Sequence, residues 1–411
     1  MIRPCSLAHS IRPAHNSPSI SRLVCYRLGF TINSPSARPR PQTIHTLITT
    51  ATTRQQFYST ARMAPTIYSE IISKLPEGFN KANESGDLLF FPSTLHKHAE
   101  NGVEFEIRLC PALQEKPNIP APRFDSEEDQ KKAELHGKKT DPFAPPYVPN
   151  LLIGELKDEE EDAEYVVLFN KYAVVPHHIL VVTKEFQSQT APLLPPDLVQ
   201  TYRLLLAARD AGRNFFAFYN CGNLSGASQP HKHLQLIPIE SDGGPPIEKL
   251  ARESHLEVPD KPFSLTSLPY ANHVRRLPLK LSTNQSISSE TLSHELSSTF
   301  LSLLDLSIST IRHSEDYPTG PPSYNVILTL EHMHLIPRKD ETHVLEETGE
   351  RLNVNALGFA GMLLVKSDRE LEAVKKEGVP KILGGLGLKS IHDLQVKDLS
   401  AEAEDHIAPS L

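Results

Sequence analysis

Cysteine is scarce in this 411-residue chain, and its four thiols, Cys5, Cys25, Cys110 and Cys221, lie far apart with no Cys-x-x-Cys pair. That spacing argues against a disulfide framework and against a cysteine-built zinc site, and it suits a reducing compartment. Long apolar runs are missing too. Nothing approaches the roughly 18–20 residues that a membrane span needs, so no membrane partner is expected. The first 69 residues contain no Asp, Glu or Lys but eight arginines. With the whole chain at −8 and those residues at +8, the remainder carries about −16 with His neutral. A body that acidic argues against nucleic acid as a partner, because phosphate backbones require clustered Lys and Arg. A single nucleotide is not excluded, since a few convergent donors suffice for it. The balance of 39% hydrophobic and 22% charged residues is ample for a sizeable core.

Residues 1–62 are rich in Arg, Ser, Thr and Pro and have the composition of a mitochondrial presequence, with Arg54–Thr60 suited to processing. The competing reading takes Met63-Ala-Pro-Thr as an ordinary start, and Pro4, Pro13, Pro18, Pro35, Pro39 and Pro41 interrupt any long amphipathic helix. Neither reading gives the segment a catalytic role. The expected location is cytoplasmic, with a nuclear presence also considered and a mitochondrial form if the presequence is real.

Periodicity predicts a helix from Ile67 to about Lys81 and strands at Leu88–Phe91 and Val103–Arg108. Residues 118–149, full of Pro, Lys, Asp and Glu, read as an exposed loop without a core of its own. Tyr165–Phe169 and His178–Thr183 form an antiparallel hairpin around a longer loop. A helix over Pro196–Ala211, a buried strand at Phe215–Tyr219, a Gly/Ser loop over Cys221–Gln229 and a strand at His231–Ile239 complete a first part, 63–265. Residues 240–270 read as a connection. The second part, 266–411, has a helix at Ser289–Ile311, strands at Tyr324–Leu330, Met333–Pro337 and Gly361–Val365, and a helix at about Asp368–Glu377. The fold class is α+β, with antiparallel sheets and helices on one face.

The informative run is Gly226-Ala-Ser-Gln-Pro-His231-Lys-His233-Leu-Gln235. Alternate residues of a strand share a face, so His231, His233 and Gln235 line one strip, and Lys232 and Leu234 point away. The small-residue loop Ser225–Ser228 lets backbone N–H groups approach an anion closely. Neutral imidazole, with a reference pKa of about 6.5, is a good nucleophile at phosphorus, and Gln235 donates an N–H without ever titrating. A lone His-x-His on a strand is more often structural, or half of a metal site. It is the loop, the proline and the third polar residue that shift the balance toward chemistry. A second pair, His332 and His334, sits in a run that echoes His231–Pro238, which suggests an internal duplication, coincidence or, least of all, a second centre. His177 and His178 read as structural, Asp158–Asp162 as a solvated loop, and Met333 as core.

The motif resembles the His-x-His-x-Gln signature of the histidine triad superfamily in its transferase branch. The surrounding pieces resemble the diadenosine tetraphosphate phosphorylases (ATP adenylyltransferases) over most of residues 65–370. These pieces are Asn170-Lys-Tyr with Pro176 and His178, Phe218 through Gln235, Ser323-Tyr-Asn325 with Met333 and Ile336-Pro-Arg338, and Asn355–Gly361. The resemblance implies two similar halves in one compact unit. It makes His233 the nucleophile and His231 its brace, with Gln235 in place of the third histidine of the hydrolase branch. It makes Gly226, Ala227, Ser228 and Gln229 the phosphate loop, and Asn220, Asn170, Lys171, Lys116, Asn325, Met333 and Arg338 substrate-binding. The implied reaction converts Ap4A and phosphate to ADP and ATP through an adenylyl-histidine, so the small-molecule partners are a dinucleoside polyphosphate, ATP, ADP and phosphate. Magnesium is expected on the polyphosphate, with no dedicated protein metal site. A histidine triad hydrolase, a nucleotide-sugar phosphorylase or uridylyltransferase, and a non-catalytic nucleotide binder are the alternatives.

Overall fold

Antiparallel pairing around one large sheet is what the alternating runs produce. The structure is a computed structural model that describes residues 66–114, 141–158, 161–240, 243–283 and 287–390. The expectations for residues 1–62, for Lys116 and for much of the 118–149 loop lie outside these.

Thr66 opens helix α1 (Ile67–Glu84) by accepting from Ser69 N at 3.2 Å. Strands β1 (Leu89–Phe90), β2 (Thr94–Glu100), β3 (Val103–Leu109), β4 (Leu152–Lys157), β5 (Glu164–Phe169), β6 (Tyr172–Ala173) and β7 (Ile179–Thr183) follow. Helix α2 (Pro195–Asp210) leads into β8 (Phe215–Cys221), β9 (His233–Pro238) and helix α3 (Pro246–Glu253). Next come β10 (His273–Arg276), the short α4 (Lys280–Thr283), the long α5 (Ser289–Arg312), β11 (Tyr324–Leu328) and β12 (His332–Pro337). The chain continues through β13 (Thr342–Val344), β14 (Arg351–Asn353), α6 (Ala356–Phe359), β15 (Met362–Val365), α7 (Asp368–Glu377) and α8 (Val379–Leu386).

Eight strands form the main sheet in the order β10-β12-β11-β8-β9-β7-β5-β4, every neighbour antiparallel. The hairpin-like pairs β8–β9 and β11–β12 meet back to back where Asn220 faces Asn325. Each pair is preceded by a helix, and those helices, α2 and α5, pack on each other. The sheet is therefore built from two similar halves.

Strand alternation separates two cores. Ala217, Tyr219, Leu234, Leu236, Val326, Met333 and Leu335 pack beneath α1, α2 and α5. Phe216, Phe218, Ile237, Val274, Ile327 and Ile336 face the other way, against Phe105, Ile107, Leu363 and Val365 of a three-stranded sheet, β15-β3-β2. Each such side chain contributes roughly 1.5–3 kcal/mol on burial.

Several expectations change. The strand of the motif begins at His233 rather than His231, because the pairing partner changes at Lys232, whose N–H donates to the Gln187 carbonyl and whose carbonyl accepts from Thr183 N; His231 joins only through an isolated bridge to Ser188. Within 141–149, read as loop without a core, Phe143 is buried against Val166, Leu168, Leu180 and Val182. Asp158 is not solvated: it is buried and accepts from Gln200 Nε2 and Glu161 N, both at 3.1 Å. The connection 240–270 contains α3, which buries Ile247 and Glu248. Strands β2, β4, β6, β10, β13 and β14 were not anticipated. Among the described residues, no helix is long and apolar enough to cross a membrane.

Candidate active site

The ladder fixes the strip. His233 lies opposite Val182, and Gln235 lies opposite Leu180 and Phe218, so both project from the face away from α2. Lys232, on the other face, is fully buried and pairs with Asp197 at 2.5 Å while donating to the Pro192 carbonyl at 2.9 Å. That internal anchor pins the strand just where its opposite face carries the histidines.

His233 Nδ1–H donates to the His231 carbonyl at 2.8 Å. A carbonyl can only accept, so the proton sits on Nδ1 and the lone pair on Nε2. Nε2 has no hydrogen-bond partner among the described residues. Burial pushes this imidazole down to about 4, so it is neutral at pH 7 and ready to attack. Its backbone N–H donates to Gln189 Oε1 at 2.8 Å, and Gln189 Nε2 donates to the Asn220 carbonyl at 2.8 Å. The Phe143 ring leans on His233 with centroids 5.0 Å apart.

His231 is held on both nitrogens. Nδ1 meets Asp141 Oδ2 at 2.7 Å and Nε2 meets the Thr183 carbonyl at 2.7 Å. Both partners are acceptors, so a ring with a proton on each nitrogen satisfies the arrangement in full. Burial raises the Asp141 carboxyl, but donation from His231 and from Phe143 N outweighs it and holds the group below its ordinary value.

The loop between β8 and β9 is gripped from below. Gly226 has φ +79°, and a Cβ there would lie 2.7 Å from the Val354 carbonyl, so only glycine fits. Asn325 Nδ2 donates to the Ser225 carbonyl and to Asn220 Oδ1, both at 2.9 Å. Arg338, with no exposed surface, donates to Asn325 Oδ1, to the Ser225 carbonyl at 3.3 Å and to the Val354 carbonyl at 2.8 Å, and lies over Phe359. Burial lowers its guanidinium to about 9. Among the described residues, no backbone N–H of Gly226, Ala227, Ser228 or Gln229 is used internally. The result is a rigid turn with free donors beside a neutral, pre-aimed imidazole, an arrangement suited to an anion that accepts attack.

Comparison with known proteins meets this geometry. The Saccharomyces cerevisiae diadenosine 5',5'''-P1,P4-tetraphosphate phosphorylase 2 is 30% identical over 323 residues, 76% of this chain and 92% of that one. The chain belongs to the Ap4A phosphorylase family of nucleotidyltransferases. Residues 62–253 match its Ap4A phosphorylase N-terminal domain and residues 266–389 the ATP adenylyltransferase C-terminal domain. The crystal structure of yeast Ap4A phosphorylase Apa2 superposes with a TM-score of 0.63 at 26% identity, covering 80% of this chain and 99% of that one. Apa2 solved in complex with Ap4A superposes with a TM-score of 0.61 at 25% identity over the same shares.

Not every family position converges on the strip. Asn220, Asn325 and Arg338 lie beneath the loop between β8 and β9, where Asn220 Oδ1, both ends of the Asn325 amide and the two terminal Arg338 nitrogens are engaged by protein. Met333 is fully buried in the helix-side core, on the opposite face of the sheet. Lys171 is exposed, 5.9 Å from the Tyr172 ring. Asn170 reaches Gln235 through His178, a residue read from sequence as structural. Asp141, Phe143 and Gln189 were not singled out from the sequence. The signal available for the first two was Asp141-Pro-Phe143, an aromatic ending a long charged stretch; Gln189 carried none.

His332 and His334 also face the strip side, but their site is closed. Glu248, fully buried, accepts from His332 Nδ1 at 2.8 Å and His334 Nε2 at 2.9 Å, and from Thr329 Oγ1 at 2.8 Å. Those donors hold its carboxyl well below the usual range against the opposing effect of burial. Glu248, Glu331 and His332 bring possible ligand atoms within 4.8 Å of one another, although Glu331 is paired with Arg252 at 2.6 Å.

Proposed function

We propose that this chain cleaves diadenosine tetraphosphate with inorganic phosphate, giving ATP and ADP through an adenylyl group carried on His233. The observation that carries the reading is the His233 Nδ1–H bond to the His231 carbonyl, which leaves Nε2 as the free lone pair. In the first displacement Nε2 forms a bond to the α-phosphorus of one adenosine, and the bridge oxygen to the next phosphorus leaves with ATP. The positive charge on the substituted ring is met by that same carbonyl. In the second, a phosphate oxygen attacks the phosphorus, the P–N bond breaks, ADP departs and neutral His233 returns. Two in-line displacements give ping-pong kinetics and retention at phosphorus.

The N–H groups of Gly226–Gln229 and the Gln235 amide are the proposed donors to the phosphoryl oxygens, and exposed Lys171 the cation for the departing polyphosphate. Asp141, the carboxylate beside the strip, is committed to His231 and to Phe143 N at 2.9 Å. Magnesium is therefore assigned to the polyphosphate oxygens rather than to protein ligands. The location proposed is cytoplasmic or nuclear, with a mitochondrial form should residues 1–62 act as a presequence. Product analysis with and without phosphate tests the reaction. ADP plus ATP, formed only when phosphate is present, is the expected result; AMP plus ATP formed without phosphate would establish hydrolysis instead.

A further inference from the structure

One backbone N–H fixes the orientation of a chain of side chains that ends in the strip. Tyr172 N donates to Asn170 Oδ1 at 3.1 Å. A backbone N–H can only donate, so the Asn170 oxygen faces Tyr172 and its Nδ2 faces His178. Asn170 Nδ2 lies 3.0 Å from His178 Nδ1, which must therefore accept. The His178 proton is then on Nε2, and Nε2 lies 3.0 Å from Gln235 Oε1. The Gln235 oxygen is occupied, and its Nε2 has no partner among the described residues. Main-chain contact reinforces the pair, because Asn170 N–H donates to the His178 carbonyl at 2.9 Å. His178 shares the strip's face by alternation with Leu180, which pairs with Gln235. Its ring is buried, and burial lowers it to about 4, in keeping with a neutral ring that has one donor and one acceptor.

We propose that His178 is a positioning residue for catalysis: oriented by Asn170, it holds Gln235 with the amide N–H groups, not the oxygen, facing the reacting phosphoryl group. A free glutamine amide presents either end to a ligand, and the oxygen end repels a phosphoryl oxygen. The relay removes that choice before substrate arrives. The inference rests on the reading that Gln235 meets a phosphoryl oxygen, and it assigns Asn170 to the relay.

Two measurements on the full chain test it. The first is the 15N shift pattern of His178 at neutral pH without substrate. A neutral ring protonated on Nε2 is expected, and a proton on Nδ1 instead would overturn the proposal. The second is a double-mutant cycle on the rate of His233 adenylylation, using wild type, His178→Phe, Gln235→Ala and the double variant. His178→Phe is expected to slow the step by about 10–100-fold, less than or similar to the loss of a preorganised donor. The double variant should be no slower than Gln235→Ala alone. An unaffected His178→Phe enzyme, or a double variant slowed by the product of the single effects, would show that His178 does not act through Gln235. A wild type that never becomes adenylylated would defeat the functional reading, and the ligand-free tautomer would still decide the relay.

Discussion

At the scale of single residues, three histidines behave as neutral buried rings, and pH should expose this. His233, His178 and His273 are each lowered by burial to about 4, whereas an unfolded histidine titrates near 6.5. Between those values the unfolded chain binds more protons than the folded one, so stability rises with pH across that window and is lost as pH falls through it. Each ring contributes up to about 3 kcal/mol of this loss. Denaturant melts at pH 7 and pH 5 should therefore show a clear drop at pH 5, and replacing His273 with Asn should shrink it. Adenylylation by protein that remains folded should hold steady down to about pH 5. It should fail only as His233 protonates near 4, because the protonated ring has no lone pair on Nε2.

At the scale of elements, the turn between β8 and β9 does the aiming. Gly226→Ala forces a side chain into a left-handed position and against the Val354 carbonyl. A cost of about 1–3 kcal/mol is expected, with displaced N–H donors. Since the N–H groups of this turn are the proposed phosphoryl donors, turnover should fall by on the order of 100-fold with a much smaller change in melting temperature; a variant with full activity would remove the loop from the mechanism. Most of these elements were legible in the sequence. The starts of α1 and α5, the pairing of β5 with β7, the bounds of α7 and the shared face of His233 and Gln235 all follow from periodicity, caps and strand alternation. What periodicity does not register is a residue recruited across the sequence. Asp141 and Gln189 reach the histidines from loops without pattern, and β2 and β10 lack a clean alternation of apolar residues. His178 was visible as a residue but not as a link, because its meaning depends on which neighbour turns which end toward it.

At the scale of the whole molecule, the sheet carries two histidine pairs on one side, and they have different fates. The pair at the start of β9, His231 and His233, has one unpartnered nitrogen, His233 Nε2, beside free backbone donors. The pair on β12 is closed by Glu248, whose carboxylate sits between both rings. Echoing sequences at 231–238 and 332–337 hinted at this repeat, but nothing in the sequence indicated that α3 would reach across to seal one of them. Glu248→Ala removes the shared acceptor from buried His332, His334 and Thr329. A loss of about 3–5 kcal/mol is expected for a broken buried pair, seen as a melting temperature lower by on the order of 10 °C, while adenylylation at His233 persists in the folded fraction.

The mechanism depends on which nitrogen takes the adenylyl group. Denaturing wild-type protein after brief exposure to Ap4A without phosphate, then mapping the adenylylated peptide by mass spectrometry and its P–N linkage by 31P NMR, measures this directly. One adenylyl group, on Nε2 of His233, is the expected result. An adduct on Nδ1, on His231 or on any residue outside the strip would contradict it.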